Sequence, residues 1–348
     1  MTVFWLFTPY HSNAKRTIVS FGVSDGEAAS HPLGNEEETR TKIQEGWYTF
    51  FDMGVNIMSK QYRGFYDSST KRHQSDIDNV IERANSFGVN RMLFMANSPN
   101  EISEVYKLTQ DYPDIYMSFG INPSIMRKTF IKSDNLKSFQ SDFEKNIDNF
   151  ISNKSKLVAI GDWGLDYAKF KFSEKVEQLK IFPLHFALAK KYGLPMIMKC
   201  NQAAEDFVKI VKDHRKNFSN GLISAFKGTE EELQQLLDLG MYIGVSGCSM
   251  KNKQMIDMIR LIPLDKIILQ TMSPSCVIKD KHSGYHHIKS RFSQVKNSEY
   301  EAGKLIIGRN EPCTIVQLVE IVAKVKGIDE KEVMKAVWDN SNKFIGKN

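Results

Sequence analysis

The chain has 348 residues, 41% of them hydrophobic and 25% charged, with a formal net charge of +6. That length can bury a large core in one barrel-sized domain or two smaller ones, and the composition is that of a globular protein. No apolar run approaches a membrane-spanning helix, and four widely spaced cysteines (Cys200, Cys248, Cys276, Cys313) with no C-x-x-C pair exclude a disulfide framework or zinc ribbon.

These cysteines read as the reduced thiols of an intracellular protein. The mild basicity permits a nucleic-acid or acidic partner without demanding one.

Residues 1–46 read as an N-terminal extension. The first 24 carry no acidic residue, and Lys15 and Arg16 stand among aromatics and hydroxyls. This is compatible with a mitochondrial presequence or with a short added arm, so the expected compartment is mitochondrial or cytoplasmic. The apolar run Val3-Phe-Trp-Leu-Phe7 is a candidate docking segment for a protein partner. Residues 25–46 are polar and charged, as in a linker.

From Trp47 onward, apolar runs alternate with amphipathic stretches. Strands are predicted at Tyr48–Asn56, Arg91–Ala96, Ile115–Ile121, Leu157–Gly161, Pro195–Cys200, Leu222–Ala225, Tyr242–Ser246 and Lys266–Gln270. Helices are predicted near 73–88, 99–111, 136–152, 173–192, 202–216, 229–239, 251–260, 314–327 and 329–342, with Pro183 kinking or dividing the fourth. Eight strand–helix repeats predict an α/β fold over residues 47–348, a closed (β/α)8 barrel of the TIM type, with a doubly wound open sheet as the alternative. The stretch 275–308 is a long loop without a clear element, placed after the eighth strand on the face where barrel sites are built.

Chemistry in such a barrel belongs at the C-terminal strand ends. Those ends offer Asp52 and Asn56, Asn122, Asp162 and Asp166, Lys199, Ser224, and Gln270 with Met272. None of the eight histidines falls at a strand end. His185 and His214 lie in helical stretches, and His286-His287 would reach a metal only if the long loop folded back.

Several stretches carry a resemblance to the TatD-type deoxyribonucleases, especially those of eukaryotes. They are Asp52-Met-Gly-Val-Asn56, Tyr62-Arg-Gly64, Lys71-Arg-His-Gln74, Val158-Ala-Ile-Gly-Asp-Trp-Gly-Leu-Asp166, Gly244-Val-Ser-Gly-Cys-Ser249 and Arg309-Asn-Glu-Pro-Cys313. The resemblance implies a metal-dependent (β/α)8 barrel that hydrolyses DNA phosphodiesters with Mg²⁺ or a similar ion. It also shows departures. Where such proteins have a Glu in Gly-Glu-x-Gly-Leu-Asp, this chain has Asp162. Where they have a metal-binding His after Leu-Pro-x-x-x, it has Lys199, and the Arg two residues on is Asn201. Ser224 replaces a second His, Asn122 the Gly-x-His-Pro histidine, Gln270 the Glu of Glu-Thr-Asp-Ala-Pro, and Met272 the catalytic Asp of that motif.

Of the four central ligand positions, only Asp162 still suits a hard divalent ion. Lys199 would repel one by several kcal/mol, at roughly 4 Å and an effective dielectric near 20. The expectation is a barrel without a resident metal or cofactor, in which the Lys199 ammonium pairs with Asp162. Its residual site is Asp52, Asn56, Asp162, Asp166 and Lys199, and its role is that of a structural or assembly subunit with protein partners. The runner-up is an active deoxyribonuclease in which Asp162, Asp52 and loop ligands hold one Mg²⁺-like ion. Two further options are a nucleophilic or Schiff-base Lys199, with Asp162 and Asp166 as acids, and a phosphate or nucleic-acid site formed by Lys199, Lys227, Arg63, Lys279, Lys281 and Arg291. The segment Arg309-Asn310-Glu311-Pro312 is expected to anchor the long loop, and Asp166 to serve the turn after the fourth strand.

Overall fold

The apolar runs become parallel strands paired in chain order: β1 (Phe50–Val55), β2 (Val89–Ala96), β3 (Ile115–Phe119), β4 (Leu157–Asp166), β5 (Met196–Asn201), β6 (Gly221–Ile223), β7 (Tyr242–Val245) and β8 (Ile267–Leu269). The computed structural model describes residues 49–67, 69–123, 136–151, 156–169 and 173–347, so the expected extension 1–46, with its apolar run at 3–7, lies outside the described residues.

The connections carry α1 (Ile77–Ser86), α2 (Ile102–Gln110), α3 (Leu136–Ile151), α4 (Lys175–Ile181), α5 (Leu184–Tyr192), α6 (Ala204–His214), α7 (Glu230–Asp238) and α8 (Lys253–Leu261). The expected helix 173–192 is divided at Pro183, which precedes α5 and cannot donate a helical hydrogen bond. α7 starts at a reciprocal cap, with Thr229 accepting from the Glu232 amide and Glu232 accepting from the Thr229 amide.

Eight parallel strands thus form a nearly closed barrel. Side chains hold its β8–β1 seam as much as backbone does. Asn56 N donates to Ser273 O at 2.8 Å, Gln270 Nε2 to Met53 O at 2.9 Å, and Thr271 N to Asp52 Oδ1 at 2.9 Å.

Alternation along each strand points one set of side chains inward. Phe51, Met53, Leu93, Tyr116, Val158, Ile197, Leu222, Tyr242 and Ile268 make an interior cluster, and Phe344 joins it from α10 (Glu330–Phe344). That helix closes the N-terminal ends of the strands. Asn220, just before β6, donates to Phe344 O at 3.1 Å, and the Lys347 ammonium reaches Tyr116 Oη at 2.9 Å. The opposite end is left for the site.

β4 runs five residues beyond its predicted end. Gly161 and Gly164 look like breakers in sequence, but they are where the β5 backbone presses on β4. A methyl group on Gly161 would lie 2.2 Å from Ile197 O, and one on Gly164 2.1 Å from Lys199 O. Both residues have positive φ, 144° and 138°, which glycine adopts freely. The motif therefore stays in the strand and carries Asp162 to the mouth.

The stretch 275–308, expected without an element, contains two-residue strands β9 (Gln294–Val295) and β10 (Leu305–Ile306), paired in parallel. It is tied down by Glu320 of α9 (Ile315–Lys326), whose buried carboxylate accepts from the amides of Lys289 and Ser290. Arg309 then pairs with Asp76 at 2.6 Å and with Glu311 at 2.8 Å, all three buried. Asn310 Nδ2 donates to Thr271 O at 2.8 Å, so this motif fixes the returning chain to β8.

Candidate active site

At the C-terminal ends of the strands lies a cavity of about 360 Å³. β1 and β2 contribute Asn56 and Asn97, β3 is followed by Asn122, and β4 supplies Asp162 and Asp166. β5 supplies Lys199, and the residues after β6 and β8 supply Ser224 and Met272.

Lys199 and Asp162 meet there. The Lys199 ammonium is 3.2 Å from Asp162 Oδ2, and the carboxylate is 1% exposed. Asn122 Nδ2 approaches the same oxygen at 3.4 Å. Asp162 Oδ1 is buried without a hydrogen-bond partner. An ionised carboxylate this deep is costly unless compensated, and the ammonium compensates it. The strand register makes the meeting possible, because Gly164 of β4 stands opposite Lys199 of β5.

Ser224 and Met272 stand at two further positions that the resemblance gives as ligands. Ser224 Oγ faces Met272 Sδ at 3.8 Å, a weak contact between two poor ligands for a hard cation. Met272 holds φ at 53°, a left-handed conformation unusual for its side chain. Among the described residues no three His, Cys, Asp or Glu side chains group as metal ligands. Of the two carboxylates lining the cavity, Asp162 has the Lys199 ammonium beside it and Asp166 is engaged by Asn201, so the donor set fits a divalent ion poorly.

Asp166, Asp52 and Gln270 have other work. The Asp166 carboxylate accepts from Asn201 Nδ2 at 2.7 Å, and its backbone is clasped by the Gln178 amide, N to Oε1 at 2.7 Å and Nε2 to O at 3.1 Å. Asp166 and Asn201 are register partners at the ends of β4 and β5. Gln270 is fully buried and bridges β1 to the chain after β6, with the Ala225 amide donating to its Oε1 at 3.0 Å. Asp52 is fully buried in the seam, does not line the cavity, and accepts from the amides of Gly54 and Thr271 and from the Thr271 hydroxyl.

Burial pushes the Asp52 carboxyl up to about 7, against the lowering effect of those hydrogen bonds. A raised folded-state pKa favours folding at acid pH, and that contribution is lost as pH climbs from about 4 to about 7. Asp52→Asn mimics the protonated acid. It is expected to match the native chain at pH 4 and to exceed its stability at pH 7.5, by on the order of a few kcal/mol. Urea unfolding at both pH values checks this; parallel curves for the two proteins across the range would refute it.

The basic cluster envisaged for a phosphate site is dispersed. Lys199 and Lys227 line the cavity and Lys279 and Lys281 an adjoining hollow, whereas Arg63 pairs with Glu104 and Arg291 lies over Tyr285 at 5.0 Å. His286 and His287 line a separate cleft with Glu320 and Glu330. His185 is buried in α5, hydrogen-bonded to the Ile181 and Phe182 carbonyls at 3.1 Å, and His214 stacks on Phe186 at 4.8 Å.

Two features were missed in sequence. Asn97 stands directly after β2 and donates to Asn56 Oδ1 at 3.3 Å; its position at a strand end was the available signal. Cys248 and Cys276 are joined as a disulfide, which corrects the expectation of reduced thiols throughout, while Cys200 and Cys313 are free. A sequence separation of 28 residues offers no local signal for that pair.

Residues 51–346 match the family model for TatD related DNases. The chain is 29% identical over 301 residues to the deoxyribonuclease Tat-D of Schizosaccharomyces pombe, covering 86% of this chain and 96% of that protein. It is 28% identical over 299 residues to a 3'-5' ssDNA/RNA exonuclease TatD of Rahnella, covering 85% and 97%. A crystal structure of a hydrolase TatD family protein from Entamoeba histolytica superposes with a TM-score of 0.77 at 29% identity, covering 85% of this chain and 98% of that one. With that barrel, those motifs at its mouth and a match along nearly the whole described chain, the protein belongs to the TatD related DNase family.

Proposed function

We propose that this chain is a TatD-family barrel in which a lysine–carboxylate pair has replaced the divalent metal centre, and that it acts not as a nuclease but as a structural component of a protein assembly. The observation carrying this reading is the Lys199 ammonium 3.2 Å from Asp162 Oδ2 in the barrel mouth. A cation held there opposes a second one, and the remaining positions supply a thioether, a hydroxyl and a carboxamide instead of imidazole or carboxylate.

The test combines metal analysis with activity. The purified protein is expected to retain no stoichiometric Mg²⁺, Mn²⁺ or Zn²⁺ by elemental analysis. It is also expected to leave single- and double-stranded DNA uncut with any of them. Metal-dependent cleavage that disappears in Asp162→Ala would overturn the reading. For the assembly role, the native protein in a gentle cell extract should migrate well above its own 39.9 kDa. Migration at the monomer mass would count against it.

An active, divergent metal-dependent nuclease is the second reading, favoured by the near full-length similarity to deoxyribonucleases. The same cleavage assay decides between the two. Asp52 does not join Asp162 in the cavity, and His286 and His287 line a different cleft, so neither the seam nor the loop adds ligands to that reading.

A further inference from the structure

Cys248 follows β7 in the turn Gly247–Met250, and Cys276 follows β8 at the start of the long loop. Both are half-buried, and both line the mouth cavity and the adjoining hollow of about 650 Å³. The two segments pack backbone against backbone. A methyl group on Gly247 would lie 1.8 Å from Cys276 O, and the two cysteine Cα atoms are 5.0 Å apart. That separation suits a disulfide without moving the chain.

The surroundings are basic. Lys251, Lys279, Lys281 and His282 line the hollow with the two cysteines, and Asp280 is the acidic residue on the same turn. Partly exposed cysteines in electropositive surroundings are the reactive ones. Cys200, in the same cavity, is the contrast: burial pushes its thiol up to about 12, which keeps it protonated and out of exchange.

The disulfide also sits where the loop has little else to hold it. On one side Asn310 N donates to Pro274 O at 2.9 Å, and on the other Ser283 N and Gly284 N donate to Lys251 O and Met250 O at 3.3 and 3.1 Å. Between these anchors the backbone bond from His282 N to Lys279 O stays within the loop, and Ile278 supplies the apolar contact with the core.

We propose that Cys248 and Cys276 form a reversible thiol–disulfide site, exchanging with a small disulfide of the glutathione type, that sets how firmly segment 275–284 is held over the barrel mouth. In the oxidising direction one cysteine thiolate attacks a sulfur of glutathione disulfide and expels one glutathione thiolate. The second cysteine thiolate then displaces the other. Two protein thiols become one disulfide, and one glutathione disulfide becomes two glutathione thiols, with two electrons passed between the couples. Reduction runs the same steps backwards. The site is independent of whether the mouth binds metal.

The experiment equilibrates the full chain across a range of reduced-to-oxidised glutathione ratios, quenches with acid, and labels free thiols for peptide mass spectrometry. Amide exchange of 276–281 is followed in parallel at the two extremes. Cys248 and Cys276 are expected to lose label together as oxidised glutathione rises, while Cys200 and Cys313 keep theirs. The loop amides should exchange about tenfold faster in the reduced protein, with strand amides unchanged. A double Cys248→Ser, Cys276→Ser variant should exchange like the reduced native chain. A pair that stays oxidised or stays reduced across the whole range would overturn the proposal, as would mixed glutathione adducts in place of the internal bond. Equal loop exchange in both states would overturn it as well.

Discussion

Replacing Glu311 by alanine lowers the free energy of unfolding by about 3–5 kcal/mol, the penalty for breaking a buried ion pair from one side. Glu311 is fully buried and holds two guanidinium groups, Arg309 Nη2 on Oε1 and Arg83 Nε on Oε2, each at 2.8 Å. Arg309 is also fully buried and clasps Asp76 through two hydrogen bonds, at 2.9 and 2.6 Å. Two cations and two anions balance in this cluster. Removing Glu311 leaves a net positive charge with no water to solvate it. The cluster already carries two unsatisfied donors, Arg309 Nε and Arg83 Nη2, so it has no spare acceptor to take over from Glu311. Because a domain is stable by about 5–15 kcal/mol, the loss takes a large share of the total. Urea unfolding measures it, with Lys296→Ala, an exposed change expected to move stability by less than about 0.5 kcal/mol, as the control. A loss for Glu311→Ala below about 1 kcal/mol would show that the cluster is not the anchor of the returning chain.

Divalent metal binding should appear when the replaced positions are reverted together. Lys199→His, Ser224→His and Met272→Asp in one chain remove the cation and restore three ligands around Asp162, all lining the same cavity. The expected change is from no measurable binding to a dissociation constant on the order of micromolar, about 8 kcal/mol. Two of the substitutions have a physical reason to be tolerated. Aspartate accepts the left-handed φ of 53° at position 272 better than methionine does. Without Lys199, Asp162 loses its counter-charge, and the incoming ion replaces it. Calorimetry with Mn²⁺ or Zn²⁺ reads the affinity, and metal at about 100 times the dissociation constant should add about 2.7 kcal/mol of stability. A folded triple variant that binds nothing would mean that these three residues are not what keeps metal out. Lys199→His alone should bind weakly or not at all, because Met272 and Ser224 remain poor ligands.

The barrel was legible because its strands are apolar runs with turn residues between them, and hydrophobic period is the strongest signal a sequence carries. β4 is the instructive exception. The predicted strand stops at Gly161, and only the neighbouring strand explains why two glycines belong inside a strand that runs on to Asp166. The mouth was legible for a related reason, since strand ends can be located and every strand end in a closed barrel faces one cavity. That rule brought Asp162, Lys199, Ser224, Met272, Asn56 and Asn122 to one place. It did not separate Asp52 and Gln270 from them, because whether a side chain enters the cavity or the seam depends on pleat direction and on its cross-strand partner. Thr271 takes Asp52, and Met53 with Ala225 takes Gln270. The disulfide lay beyond reach for another reason: loop packing brings Cys248 and Cys276 together, and no spacing rule describes it.

The helix that seals the N-terminal ends of the strands bears on how the protein is made. Phe344 fills an interior to which β1 had already contributed Phe51, and β8 closes on β1 through Asp52 and Thr271. A growing chain can pair its early strands in order, but it cannot close the seam until β8 has emerged, nor plug the interior until α10 has followed. Until then the nascent barrel is an open curl with part of its apolar lining facing water. Parallel pairing with long crossovers is slow, and exposed apolar lining is what chaperones bind. The molecule is therefore most vulnerable before α10 has docked, and a lesion in α10 should show itself as poor folding yield as well as a weakened mature protein.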